Sequence, residues 1–91
     1  MLFVVRCVDK KDHLAVRQEN RPTHVEYLKS QGDALFAAGP LLDDAEQMCG
    51  SVVILDVADR AAAEAFAAGD PYAKAGLFES VTIDRWNKVL P

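Results

Sequence analysis

Cysteine and basic charge are both scarce in this chain of 91 residues, and each shortage argues against a class of protein. The two cysteines, Cys7 and Cys49, form no C-x-x-C pair, so a disulfide framework or a zinc knuckle is not expected. The 10 Lys and Arg residues are outnumbered by 14 Asp and Glu residues, whereas nucleic-acid binders gain affinity from excess basic charge. We therefore expect no bound metal and no nucleic-acid partner.

Long apolar runs and phosphate-binding loops are also missing. The N-terminal segment has no basic region before its apolar residues, and Arg6 interrupts it too early for a signal peptide. No apolar run approaches the ~20 residues that a membrane helix requires, so no membrane association is expected. There is no glycine-rich nucleotide fingerprint, and we expect no cofactor. The composition predicts a cytoplasmic protein with a single domain over residues 1–91.

Segments dense in β-branched and other apolar residues predict four strands, over residues 2–8, 34–39, 51–57 and 77–86. The second strand is expected to end in a turn at Gly39–Pro40, followed by a loop that reaches Cys49. Asp70–Pro71 predicts a further turn, because proline cannot continue the preceding helix.

Two regions predict helices. Helix formers extend from 12 to 31, but Pro22 is expected to divide them into a piece over 12–19 and a piece that begins at Pro22 and ends at Gly32. The second region, 60–68, follows Asp59, which is a suitable N-cap residue.

The resulting order, β-α-β-β-α-β, predicts an α+β fold of the ferredoxin-like type, with a four-stranded antiparallel sheet and both helices on one face. Residues 2–5 and 52–55 are apolar at every position, whereas a strand with one wetted side alternates apolar and polar residues. The second face of the sheet therefore needs a cover. A second copy of the same sheet would supply it, so we predict a homodimer formed through the sheet face.

His24 and Asp70 are the first candidates for catalysis. If the first helical region is continuous, His24 shares a stripe with Leu14, Arg17, Arg21 and Leu28. Helical histidines are often hydrogen-bonded packing residues, and an Asp at a turn often bonds its own backbone. However, the end of the second helix can approach the side of the first, where the Asp70 carboxylate would orient the imidazole ring as a general base requires.

Five further residues are candidates for substrate binding. Arg17 and Arg21 would suit an anionic ligand, although surface ion pairs are the simpler interpretation. Gly39 could allow a ligand close to the backbone, and Ser51 could line a pocket or be an ordinary edge residue. Tyr72 combines packing area with a polar hydroxyl group.

Several ordered motifs together resemble the YCII-related (YciI-like) family over essentially the whole chain. They are RPTHVEYL at 21–28, AAGPL at 37–41, GSVVIL at 50–55, and DPY at 70–72 followed by AKAGLFESVTIDRW. The resemblance implies a ferredoxin-like fold that dimerises as a dimeric α+β barrel, similar to muconolactone isomerases. It also implies a His–Asp pair in a pocket, which maps onto His24 and Asp70.

Two functions follow as hypotheses. In the first, the protein is a cofactor-free enzyme of the isomerase or lyase type that uses His24 and Asp70 for acid/base chemistry on a small organic compound. A few members of the family that the chain resembles look like lyases that remove halide from hydroxylated aromatic rings. In the second, the protein is a non-catalytic small-molecule binding or accessory module, and the pair only satisfies buried polar groups.

Overall fold

The computed structural model describes residues 1–91 and contains four strands and three helices. In chain order these are β1 (Leu2–Asp9), α1 (Leu14–Ser30), β2 (Leu35–Leu42), β3 (Met48–Asp56), α2 (Arg60–Gly69), α3 (Pro71–Lys74) and β4 (Phe78–Trp86). A single 3-10 turn over Gly32–Ala34 joins α1 to β2. The predicted βαββαβ order is confirmed, with the short α3 added between α2 and β4.

The strands form one antiparallel sheet in the order β2-β3-β1-β4. The central strand β1 pairs with β3, where Val5 lies opposite Val53, and with β4, where Val5 lies opposite Ile83. Each helix-containing connection, from β1 to β2 and from β3 to β4, therefore joins two strands that are not neighbours in the sheet. The arrangement is the predicted ferredoxin-like sheet.

Alternate residues of the two central strands point to the helices and form the core. Tyr27 and Leu28 of α1 pack against the same cluster as the side chains of α2, so both helices cover one face of the sheet. The buried members of this cluster are Phe3, Val5, Cys7, Val53, Leu55, Ala63 and Phe66.

The opposite face of the sheet, which we call the open face, carries an apolar cluster on β1 and β3 beside the charged Arg6, which pairs with Val52. Val4 lies opposite Ile54 in the β1–β3 ladder, and Val52 and Leu2 point to the same side. These four side chains are only partly buried, because no element of the chain packs over them. The open face therefore has the apolar character that the sequence predicts.

The predicted break at Pro22 is wrong, because α1 runs through it without interruption. A proline inside a helix costs about 3 kcal/mol through one lost hydrogen bond and a steric clash. Two buried residues of α1, Arg17 and His24, lie on either side of Pro22, and each is held by a carboxylate from another element. Pro22 itself is exposed. The packing of both flanks therefore keeps the helix in one piece.

The predicted turn at Gly39–Pro40 is also wrong, since both residues lie within β2. A proline is tolerated there because β2 is an edge strand. The loop between β2 and β3 is accordingly short, and the Asp43 side chain closes it by accepting hydrogen bonds from the backbone of Ala45 and Gln47.

The ends of α2 are close to the predicted ones. The Asp59 side chain caps the helix by accepting a hydrogen bond of 2.9 Å from the Ala62 backbone. The Asp70–Pro71 segment forms the start of α3 rather than a simple turn, with Asp70 as its N-cap and Pro71 in the first turn. No helix combines the length and apolar character needed to cross a membrane.

Candidate active site

A cavity of about 170 Å³ lies between α1, the β2–β3 hairpin and the first turn of α3. A cavity of about 150 Å³ lined by apolar side chains is large enough to hold benzene, so this one matches a single six-membered ring. The lining residues are Arg17, Arg21, His24, Val25, Leu28, Ala38, Gly39, Pro40, Met48, Ser51, Val53 and Tyr72. All five predicted substrate-binding residues and His24 are among them.

The continuous α1 explains why its polar residues meet at this cavity. Arg17, Arg21, His24 and Leu28 are separated by steps of three or four residues, so they form one stripe along the helix. Arg17 and His24 are nearly fully buried, at 2% and 6% exposure. A helix broken at Pro22 would not have kept these four residues in line.

His24 and Asp70 are in direct contact, although 46 residues separate them in the chain. The Nδ1–H group of His24 donates a hydrogen bond of 2.9 Å to Asp70 Oδ1, and both side chains are buried. The same oxygen accepts a hydrogen bond of 2.9 Å from the Tyr72 backbone. Asp70 therefore has both suggested roles, because it forms the local bond expected at a turn and also orients the histidine.

The contact with Asp70 determines which nitrogen of His24 faces the cavity. A carboxylate only accepts hydrogen bonds, so Nδ1 carries the proton and Nε2 of the neutral ring has a free lone pair. No group of the protein bonds to Nε2. Since every buried side-chain nitrogen has a partner, the unbonded Nε2 is not among the buried atoms. Nε2 therefore keeps access to the cavity, with the geometry of a general base.

Tyr72 supports His24 from the side. The two rings are stacked with their centroids 3.9 Å apart and their planes 16° apart, and Phe78 packs edge-on against Tyr72. Tyr72 is only 1% exposed, and burial raises the pKa of its phenol above the ordinary value, although the charges of Arg17 and Arg21 oppose this shift. Tyr72 is therefore a neutral, rigid wall of the cavity.

Arg17 is not a surface ion-pair residue, and that simpler interpretation is wrong for it. Its Nε and Nη2 groups donate hydrogen bonds of 2.7 and 2.9 Å to the two oxygens of Asp9. Nη2 also donates to Ser51 Oγ at 2.9 Å, and the guanidinium lies 4.5 Å from the centre of the Tyr72 ring. Burial alone would lower the pKa of Arg17, but the bonds and charge of Asp9 outweigh it and raise this pKa.

The remaining polar residues at the cavity are less constrained. Arg21 is exposed at the rim and forms no ion pair, so its charge is available to an anionic ligand. Gly39 also lies at the rim, and a Cβ atom added there would meet no neighbour. The second histidine, His13, bonds to the Lys11 carbonyl outside the cavity.

The two cysteines contribute no nucleophile to the site. Burial, together with the negative charge of Asp70, raises the pKa of the Cys7 thiol to about 12, so Cys7 stays neutral in the core. Cys49 is partly exposed and lies outside the cavity. No group of three His, Cys, Asp or Glu side chains is arranged to hold a metal ion.

Asp9 and Met48 are among the residues of the site that were not predicted from the sequence. Asp9 holds Arg17. Asp9 could have been found from the sequence, because it continues the alternation by which Phe3, Val5 and Cys7 of β1 point to the helix side. Met48 lines the cavity from the start of β3, in a segment predicted from the sequence to be a loop.

The fold and the cavity together define a class of protein: a ferredoxin-like α+β protein with a His–Asp pair in a small pocket. The profile of the YCII-related domain family matches residues 1–87, and the chain belongs to this family. Protein YciI from Escherichia coli O6:H1 is 37% identical over 98% of this chain and 99% of its own length, as is Protein YciI from Shigella flexneri.

Similarity to solved structures agrees with this assignment. The 5-chloro-2-hydroxyhydroquinone dehydrochlorinase from Burkholderia phenoliruptrix AC1100, solved in complex with 2,5-dihydroxybenzoquinone, is 32% identical with a TM-score of 0.88. The similarity covers 96% of this chain and 94% of the dehydrochlorinase. An antibiotic biosynthesis monooxygenase shares the fold at 18% identity with a TM-score of 0.61, over 99% of this chain and all of the other.

Replacing Asp9 with alanine tests the buried pair that supports the cavity wall. Asp9→Ala leaves the Arg17 charge buried without a carboxylate, and the loss of one partner of a buried pair costs about 3 to 5 kcal/mol. We expect the free energy of unfolding, measured by urea denaturation, to fall by this amount.

The exposed pair between Arg60 and Glu64 provides the control. Glu64→Ala removes a carboxylate from an ion pair on the surface of α2, and such pairs contribute about 0.5 kcal/mol or less. Equal losses in the two variants would contradict the importance of burial at Asp9.

Proposed function

We propose that this protein is a cofactor-independent enzyme that uses His24 and Asp70 for acid/base chemistry on a small cyclic organic compound. The observation that carries the proposal is the buried hydrogen bond from His24 Nδ1 to Asp70, which leaves Nε2 as a proton acceptor at the cavity. His24 acts as the general base or acid, and Asp70 fixes its tautomer and orientation.

The reaction type is an isomerisation or an elimination. Nε2 accepts a proton from the substrate, and the electron pair left behind forms a new double bond. In an isomerisation, the protonated His24 then returns its proton to a different substrate atom. In an elimination, the leaving group departs with the electron pair of its own bond to the substrate, which breaks, and His24 releases its proton to water. Neither route needs an oxidant or a second substrate.

The size and charge of the cavity favour one hydroxylated ring as the substrate. A volume of about 170 Å³ accommodates a single ring, Tyr72 and Val53 provide apolar contact, and Arg21 favours a ligand with negative charge. The related dehydrochlorinase, which was solved with 2,5-dihydroxybenzoquinone, supports the same class of compound. Arg17, Arg21, Gly39, Ser51 and Tyr72 are the proposed substrate contacts.

One observation favours the alternative of a non-catalytic binding module. Asp70 Oδ1 also caps α3 by accepting a hydrogen bond from the Tyr72 backbone, so the carboxylate has a structural role that requires no chemistry. A protein of this kind would bind single-ring compounds without converting them.

Turnover by matched histidine variants separates these two functions. Wild-type protein is incubated with halogenated hydroxyhydroquinones, including 5-chloro-2-hydroxyhydroquinone, and halide release and ring absorbance are followed. His24→Gln keeps a donor for Asp70 but has no base, so we expect turnover to fall at least about 100-fold. Asp70→Asn should reduce turnover similarly, because it no longer fixes the tautomer.

His13→Gln is the matched control, since His13 lies outside the cavity and its loss should leave turnover unchanged. Unchanged turnover in His24→Gln would remove the proposed role of His24. Binding of the whole series without turnover in the wild-type protein would instead support the binding module.

We further propose that two copies of the chain associate through the open face. Leu2, Val4, Val52 and Ile54 present apolar area there that the chain itself leaves uncovered, and a second copy related by a two-fold axis would bury it. Small domains also bury a smaller share of their surface than large ones, so this additional burial stabilises the fold.

The mass in solution tests this association. Light scattering at micromolar concentration should give twice the chain mass of 9.9 kDa. Ile54→Glu places a charge in the open face and should give the mass of a single chain, while Ala65→Glu on the exposed side of α2 should leave the dimer intact. A wild-type mass of 9.9 kDa would contradict the proposal.

A further inference from the structure

A second buried polar network at the cavity joins Asp9, Arg17 and Ser51. The acid/base chemistry proposed for His24 and Asp70 does not involve this network. Asp9 occupies two hydrogen-bond donors of Arg17, and Nη2 of Arg17 directs its other hydrogen to Ser51 Oγ at 2.9 Å. Because Asp9 already neutralises the guanidinium, Arg17 is poorly placed to serve as the main partner of a ligand carboxylate. On the cavity side, its hydrogen bond goes to the hydroxyl group of Ser51.

The hydroxyl hydrogen of Ser51 has no acceptor within the protein. A serine hydroxyl has one hydrogen to donate and two lone pairs that accept. Oγ accepts from Arg17, but no group of the protein accepts the hydroxyl hydrogen of Ser51. Ser51 is only 3% exposed and lines the cavity, so a ligand there is the available acceptor.

Arg17 makes Ser51 a stronger donor than an isolated serine. A hydroxyl group that accepts a hydrogen bond from a cation is polarised, and its own O–H bond donates more strongly as a result. The low polarity of the buried surroundings increases the effect. Asp9 fixes the guanidinium in place, so the donor is oriented before a ligand arrives.

We propose that Ser51, polarised by Arg17, donates a hydrogen bond to the ligand oxygen that carries negative charge after His24 removes a proton. This inference rests on the proposed function for the origin of that charge. Ser51 belongs to β3 and His24 to α1, so the donor and the base reach one ring from two different elements. The ligand class is therefore a single ring bearing an ionisable hydroxyl group.

Binding of two matched probes tests the donor without the natural substrate. 4-Nitrophenolate, at a pH above the pKa of the phenol, carries a charged oxygen, whereas 4-nitroanisole has nearly the same shape and no charge. Ser51→Ala should weaken binding of 4-nitrophenolate roughly 10- to 100-fold, as expected for a hydrogen bond to a charged group, and change binding of 4-nitroanisole little. Ser51→Thr, which keeps the hydroxyl group, should retain the preference for the anion.

Ser30→Ala, at the exposed end of α1 and outside the cavity, is the control and should bind both probes like the wild type. If Ser51→Ala is too unstable to measure, Ser51→Cys carries the same test, because its thiol keeps the shape but donates weakly. An equal loss of affinity for both probes, or no loss for either, would overturn the role of Ser51.

The test of the Ser51 donor can fail or succeed independently of the test of turnover by His24. Selective loss of 4-nitrophenolate binding, found also when Ser51→Ala is combined with His24→Gln, supports the Ser51 donor even if no substrate is turned over. Conversely, if a substrate of the hydroxyhydroquinone series is found, Ser51→Ala should reduce its turnover about 100-fold. Full turnover in Ser51→Ala would overturn the role of Ser51 and leave that of His24 intact.

Discussion

The hydrogen bond between His24 and Asp70 joins α1 to the junction of α2 and α3, and the candidate site depends on this contact. It is made between buried side chains, where an unpaired polar group would cost about 1 to 3 kcal/mol. The same Asp70 oxygen caps α3 and thereby positions Tyr72, whose ring stacks on His24. The tautomer of the histidine, the position of the aromatic wall and the start of α3 are therefore set by one carboxylate.

A second buried pair acts in parallel at the other end of the α1 stripe. Asp9 at the end of β1 holds Arg17, which in turn contacts both Ser51 and Tyr72. Buried ionic groups are costly unless they are paired and fully hydrogen-bonded, and no buried side-chain polar atom in this protein lacks a partner. The cavity is thus bordered by two rigid polar clusters, which is the preorganisation that the proposed proton transfer requires.

The sequence predicted the parts of the structure that depend on local pattern. The apolar strands, the Asp59 cap and the βαββαβ order follow from periodicity and composition, and the cavity residues of α1 follow from their spacing once the helix is continuous. The continuity of α1 was not predictable from Pro22 alone, because the contacts that keep the helix whole are made by Asp9 and Asp70, which are distant in the chain. The burial of Arg17 was missed for the same reason. Likewise, Gly39–Pro40 fits a strand only because β2 lies at the edge of the sheet.

The central claim is that Asp70 holds His24 with Nδ1 protonated and Nε2 free at the cavity. The ring ¹⁵N chemical shifts of His24, assigned with His24→Gln, report the position of the proton in the neutral ring directly. The account predicts a protonated Nδ1 and an unprotonated Nε2 in the wild-type protein, and a loss of this preference in Asp70→Asn. A neutral ring protonated at Nε2, or a proton position that does not respond to Asp70→Asn, would contradict it.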